Sequence, residues 1–249
     1  MIRNILLAAT ALVSVSSVAL AADLPSRKAP APAPYYAPLA TTWTGIYIGI
    51  AGGGNWGSST VKDPVGFPIA GAMNLGGAIF GGTIGVNYQM GHIVAGLEGD
   101  LSWTNKAGRA TDNAPLNPLF SHRISESWIA TERLRLGYAT GPVLLYVTGG
   151  AAFAGVTNKD IAPAPIASVS QYNRYFGYAL GGGVEWRFAP SWTLKAEYLY
   201  ANLGTRKFFP GVNANNFVQL QRASVVDNIA RIGVNYYFSN PTTAVVAKY

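Results

Sequence analysis

The chain runs to 249 residues without a cysteine, which excludes disulfides, thiolate metal sites and a lipid-modified N-terminal cysteine. Hydrophobic residues make up 49% and charged residues only 12%, about half the usual share for a water-soluble domain, and the formal net charge is +7. That balance suits contact with anionic surfaces, but no basic cluster or aromatic-basic motif points to nucleic acid.

Residues 1–21 place Arg3 ahead of an apolar run from Ile5 to Val18 and close on Ala19-Leu20-Ala21, the small-x-small pattern that signal peptidase accepts. A cleaved signal peptide is expected, with the mature chain starting near Ala22. The run is too short to cross ~30 Å of hydrocarbon as a permanent helix, and Asp23, Pro25, Arg27 and Lys28 follow it at once. Residues 22–42 carry Pro25, Pro30, Pro32, Pro34 and Pro38 with no periodic pattern, which predicts a periplasmic spacer of extended polyproline type. Residues 43–238 then read as one domain, and Ser239 to Tyr249 as a C-terminal extension.

Beyond the N-terminus no apolar run reaches the ~18 residues of a transmembrane helix. Period-2 segments rich in Gly and aromatic residues recur instead, at approximately 43–56, 74–89, 92–103, 124–138, 142–156, 174–188, 191–203 and 223–238. Three connections are tight, around Met90-Gly91, Thr140-Gly141-Pro142 and Ala189-Pro190. They alternate with long polar ones at approximately 57–73, 104–123, 157–173 and 204–222. Short periplasmic turns alternating with long extracellular loops are the mark of an all-β, eight-stranded antiparallel up-and-down transmembrane β-barrel in a bacterial outer membrane, both termini periplasmic.

Trp192, Leu194, Ala196, Tyr198 and Tyr200 alternate with Thr193, Lys195, Glu197 and Leu199, so one face is apolar and the other charged. A soluble lipocalin-like barrel would show the same alternation with the apolar face inside. Aromatic placement separates the two: Trp43, Tyr88, Tyr138, Phe188, Trp192, Tyr236 and Phe238 fall at one set of strand ends, and Trp103, Trp128, Phe176 and Tyr200 toward the other. Two bands at interfacial depth are expected of a barrel in lipid.

On this register Glu98, Asp100, Arg133, Arg135, Glu185, Arg187, Lys195, Glu197, Asp227 and Arg231 face inward. Neighbouring strands carry opposite signs: Glu98 and Asp100 beside Arg133 and Arg135, Glu185 beside Lys195, Glu197 beside Arg231. An eight-stranded interior is just wide enough for side chains to fill, so these charges are expected to form an ion-pair network that closes the lumen, with a selective pore as the alternative. Glu132 departs from the pattern by facing outward between Ala130 and Leu134, which calls for a β-bulge there or a subunit contact.

Catalysis is not expected. His122 with Ser121, Ser125 and Glu126 is the nearest approach to a Ser-His-carboxylate set, in a segment where serines abound. His92 and His122 lie at opposite ends and cannot share a metal, so no metal site and no cofactor is expected. Gly52-Gly53-Gly54, Gly81-Gly82 and Gly181-Gly182-Gly183 fall mid-strand, away from any strand-to-helix turn of the phosphate-binding kind. The long connections hold Phe67, Leu116, Phe120, Phe208, Phe209 and Phe217 beside Lys62, Lys106, Arg109, Lys159, Arg206 and Lys207, groups able to contact a host or surface ligand.

Ala22-Asp23-Leu24-Pro25, Trp43-Thr44-Gly45-Ile46-Tyr47-Ile48-Gly49, Gly96-Leu97-Glu98-Gly99-Asp100-Leu101, Arg133-Leu134-Arg135-Leu136-Gly137-Tyr138, Glu197-Tyr198-Leu199-Tyr200 with Leu203-Gly204, and Arg231-Ile232-Gly233-Val234-Asn235-Tyr236 follow one another along the mature chain. In this order they resemble the small porin-like outer-membrane proteins of alphaproteobacteria, with an OmpA-like transmembrane barrel. The resemblance implies a surface protein linked to envelope integrity and ligand contact, with outer-membrane lipids and the barrel-assembly machinery as partners. It also implies that Gly233, Tyr236 and Phe238 form the assembly signal, although Ser239 to Tyr249 continue past it. Truncation after Phe238 is expected to leave membrane insertion normal, as judged by heat-modifiable migration on gels; a chain that no longer inserts would move the signal to Tyr249.

Overall fold

A computed structural model describes residues 42–62, 68, 72–111, 121–161, 168–208 and 221–238. Residues 1–41, expected to be signal peptide and spacer, and residues 239–249, expected to be an extension, lie outside the described residues.

The strands are β1 (Gly45–Lys62), β2 (Met73–Met90), β3 (Ile93–Thr104), β4 (Ala107–Thr111), β5 (Ser121–Thr140), β6 (Val143–Ile161), β7 (Val169–Ala189), β8 (Trp192–Phe208) and β9 (Gln221–Tyr237). Each pairs antiparallel with its neighbours, and β1 pairs with both β2 and β9, which closes the ring. β3 and β4 form one stave interrupted at Asn105 and Lys106, because both lie between β2 and β5. The all-β, eight-staved, up-and-down barrel is therefore the fold.

Two of the tight turns are two-residue hairpin loops, Gly91-His92 and Gly141-Pro142, bounded by the pairs Met90↔Ile93 and Thr140↔Val143. Gly91 and Gly141 have φ of 62° and 59°, the left-handed conformation that such turns place at their first central residue. Pro142 supplies a fixed negative φ at the second.

At the opposite end the strands overrun the sequence-based boundaries. Residues 57–62, 107–111, 157–161 and 204–208, expected in loops, are paired strand. The reason is physical: apolar alternation reports contact with lipid, and it fades where the wall leaves the membrane although backbone pairing continues. β5, with 20 residues, rises well above the ~25 Å apolar band of such a barrel at ~3.3 Å per residue and ~40° of tilt.

The outer wall is apolar between two aromatic bands. Tyr88, Tyr138, Trp186, Phe188, Trp192 and Phe238 are exposed at the short-turn end, and Trp56, Phe80, Trp103, Phe176 and Tyr178 toward the other. Tyr138 and Trp128 are ten positions apart on β5, which spans ~25 Å at that rise and tilt. Trp43 corrects the expectation: it is fully buried inside the barrel mouth and belongs to the interior, not to the band. The hydrogen bond from its backbone N–H to Gln89 Oε1 (2.7 Å) and its edge-on packing against Tyr237 hold it there.

Inside, buried residues form two apolar groups. Trp43, Tyr47, Val94, Ala139, Leu144, Tyr146 and Tyr237 make a floor near the short turns. A larger group including Val61, Met73, Leu75, Ile79, Ile124, Ile129, Leu199, Leu203, Val225 and Ile229 fills the other half. This second group was not expected, because its members occupy positions of the face read as charged.

Inward glycines make room for the floor. Tyr47 lies opposite Gly85 and Tyr146 opposite Gly183 in register, and each ring lies over its glycine. A Cβ on Gly85 would sit 2.3 Å from the Tyr47 ring. Gly85→Val is expected to lower stability by about 1–3 kcal/mol through overpacking, read as a lower urea midpoint, whereas outward Gly82→Ala, whose Cβ would meet its nearest atom at 3.8 Å, stays near wild type.

Candidate functional site in the barrel lumen

Period-2 alternation on β3, β5, β7, β8 and β9 points eight charged side chains at one level of the lumen, all but fully buried. Arg133 of β5 is central: its guanidinium reaches Glu98 Oε1 at 2.6 Å, Asp100 Oδ2 at 2.9 Å and Glu197 Oε1 at 3.1 Å. Arg231 of β9 forks onto Asp100 at 2.9 and 3.1 Å and reaches Glu197 Oε2 at 2.7 Å. Arg135 pairs with Glu185, and Lys195 Nζ lies 2.9 Å from Glu98 Oε2. Four cations thus face four carboxylates.

Neutral groups fill out the coordination. Tyr47 OH donates to Glu98 Oε2 at 2.8 Å, Tyr146 OH to Glu197 Oε1 at 3.0 Å and Asn235 Nδ2 to Glu185 Oε1 at 2.9 Å. The Arg135 guanidinium also stacks 3.7 Å from the centroid of the Tyr146 ring. Buried charge is tolerated only where such partners replace water.

Three sequence-based placements need correction. Glu185 and Lys195 are register neighbours, yet Glu185 is taken by Arg135 and Lys195 reaches across the lumen to Glu98. Long side chains in a narrow interior choose among all staves, not only adjacent ones. Arg187 stands apart from the network: it donates to the carbonyls of Pro190 (2.7 Å) and Thr42 (3.1 Å) and stacks on Trp43 and Tyr237. Glu132 is exposed on the outer wall in unbroken register with Gly99 and Ala151. The bulge does occur in β5, but between Glu126 and Trp128, and it leaves Glu132 facing outward.

A second buried cluster was missed. Lys106, read as a loop cation, turns inward at the break between β3 and β4, with its amino group 2.8 Å from Glu126 Oε2 and paired to Asp227. Asn55 Nδ2 donates to Glu126 Oε1 at 3.1 Å. The break itself is held by Asn105, whose Oδ1 accepts from Ala78 N–H at 2.8 Å. The available signal was Asp227, an inward carboxylate whose register neighbours, Gly57 and Ala201, offer it no charge.

The Ser-His-carboxylate candidate does not assemble. His122 Nδ1 lies 2.6 Å from Asp160 Oδ1, Glu126 is held by Lys106, and Ser121 Oγ accepts from Arg109. His92 Nδ1 lies 3.0 Å from the Ala139 carbonyl. Among the described residues no three His, Asp or Glu side chains converge as a metal-binding group. Gly233, Tyr236 and Phe238 lie at the end of β9, where Gly233 packs against Ala51 and Tyr236 meets Trp192 and Phe238 edge-on.

Arg133→Ala takes one cation from Glu98, Asp100 and Glu197 at once, leaving them Lys195 and Arg231, and is expected to cost about 3–5 kcal/mol, whereas Arg133→Lys keeps the charge without the fork and loses less. Urea titration of the refolded barrel reads both; a Lys variant as stable as wild type would mean that charge alone matters at this position, and a Lys variant as unstable as the Ala variant that only the fork does.

A family model described as outer membrane protein beta-barrel domain matches residues 5–238. The chain is 30% identical over 251 residues to the 31 kDa outer-membrane immunogenic protein of Brucella melitensis biotype 1, covering 95% of this chain and 100% of that one. It is 31% identical over 170 residues to the 22 kDa outer membrane protein of Rhizobium leguminosarum bv. viciae, covering 68% of each. Among solved structures, the outer membrane protease OmpT of Escherichia coli is similar with a TM-score of 0.53 at 11% identity, over 78% of this chain and 97% of that one. Outer membrane protein OprG of Pseudomonas aeruginosa is similar with a TM-score of 0.50 at 15% identity and the same coverage. At these identities the structures speak to the fold alone.

Proposed function

Because the chain belongs to the outer-membrane protein β-barrel domain family, we propose that it is an envelope scaffold with a surface-contact role, its lumen closed by ion pairs, and neither a conducting pore nor an enzyme. The observation that carries this reading is Arg133 spanning Glu98, Asp100 and Glu197 in the middle of the barrel, with Lys195 reaching Glu98 from the other side. These contacts cross the only axial path an eight-staved barrel offers, and open channels belong to barrels of ~16 staves. The apolar group beyond them and the aromatic floor before them add two further layers to the same path.

The short turns and both termini are assigned to the periplasm, since barrels of this class keep their turns short on that side. Gly233, Tyr236 and Phe238 are assigned to recognition by the assembly machinery. The relatives' name, immunogenic protein, fits loops displayed at the cell surface.

Purified protein in planar bilayers is expected to show no large, stable conductance steps. Large, stable single-channel steps from wild type would replace the closed scaffold with a small diffusion pore.

A further inference from the structure

Charge is sorted by face along this barrel. Glu98, Asp100, Glu126, Glu185, Glu197 and Asp227 all point into the lumen, where cations meet them. Apart from Arg187 in the mouth and Arg206, which is in register with the buried Ala223, the described cations left over gather on the outer wall, past the aromatic band that ends at Trp56, Trp103 and Phe176.

They stand in rows. Arg109, Arg123 and Lys159 are direct cross-strand partners on β4, β5 and β6, on the outward face. Lys207, Arg222 and Lys62 are direct cross-strand partners on β8, β9 and β1, again outward. Arg174, exposed on β7, lies between the two rows. Like charges directly opposite on a sheet are destabilising, with Cβ atoms only ~5 Å apart. Two such triads on one ring mean that the wall is built for a counter-charge from outside the chain. Among the described residues the acidic side chain at this level is Asp160, which is turned to His122; Asp63 and Asp112 lie outside the described residues.

Depth selects the partner. Arg123 is five positions past Trp128 on β5, and Lys62 six past Trp56 on β1. That places the rows ~10–15 Å beyond the aromatic band, using the rise and tilt of barrel strands. On a wall facing sideways, that is the headgroup layer of the surrounding leaflet and not the aqueous mouth where soluble ligands reach loop tips.

We propose that the two cation triads form a belt that binds the anionic headgroups of glycolipids in the outer leaflet, through phosphate or carboxylate groups bridging Arg109, Arg123 and Lys159 on one side and Lys62, Arg222 and Lys207 on the other. Arginine forks two oxygens of one such group, and neighbouring staves present a second cation to the remaining oxygen of a phosphate or to an adjacent carboxylate. The belt rests on the orientation assigned above only for which leaflet it meets, and it is independent of whether the lumen conducts.

The mature chain is refolded into phosphatidylcholine vesicles with and without bisphosphorylated lipid A, and its urea unfolding midpoint is read by heat-modifiable migration. Lipid A in both leaflets makes the result independent of orientation. Wild type is expected to gain stability from lipid A, and added salt to shrink the gain. The triple variant Arg109→Gln, Arg123→Gln, Lys159→Gln should match or exceed wild type in phosphatidylcholine, where like-charge repulsion is relieved, yet lose at least half of the lipid A gain. If that variant fails to insert, Lys62→Gln, Arg222→Gln, Lys207→Gln gives the same test on the other row. An undiminished gain in both variants, or no gain in wild type, overturns the belt. A full gain from soluble heparin in phosphatidylcholine vesicles also overturns it, because the partner would then be a polyanion in solution.

Discussion

A ring of eight antiparallel staves leaves an interior just wide enough for side chains to fill, and this constraint governs everything the inner face can carry. A charge pointing inward must find its counter-charge among the other staves. Glu98 illustrates the consequence: it starts on β3 and is met by Arg133 from β5, Lys195 from β8 and the Tyr47 hydroxyl from β1. Such contacts tie strands that are not neighbours in the sheet, so the lumen adds cross-bracing to a wall otherwise joined only edge to edge. The proposed closed scaffold rests on that geometry.

The interior is also layered. The aromatic floor shields the ion pairs on one side and the aliphatic group shields them on the other. Low polarity on both flanks strengthens each ion pair and makes an unpaired charge costly, so the layers depend on one another. Lys106 shows how far this goes: a break in one stave turns it inward, where it meets Glu126 and Asp227 within the apolar half. The same break divides β3 from β4 without opening the ring, because Asn105 bonds back to the β2 backbone.

The outer wall obeys a different solvent. Between the aromatic bands it is aliphatic and aromatic with Glu132 as its exposed carboxylate, and beyond them it turns basic. Inside, carboxylates and cations are matched, while outside and beyond the aromatic band cations stand in excess, a sorting that composition alone, a net +7, does not reveal.

The number of staves, their order, the tight turns and the face of each residue on the membrane-spanning parts were legible in the sequence, because period-2 alternation and Gly-Pro turn chemistry are local. So were the residues that face the lumen at the ion-pair level, from Glu98 to Arg231. Not every partner was: Arg133 with Glu98 and Asp100, and Arg231 with Glu197, are contacts between adjacent staves, but Lys195 passes over its register neighbour Glu185 to reach Glu98, a choice set by side-chain length across a closed ring. Trp43 shows the same limit, since an aromatic at a strand end reads as an interfacial residue until the fold turns it into the barrel mouth. The strand ends beyond the membrane were hidden because their outward residues face water and lose the apolar signal while the backbone stays paired. Local alternation, then, determined the wall; only closure of the ring decided the contents of the lumen and the rows of cations, because both depend on residues far apart in sequence being brought to one height.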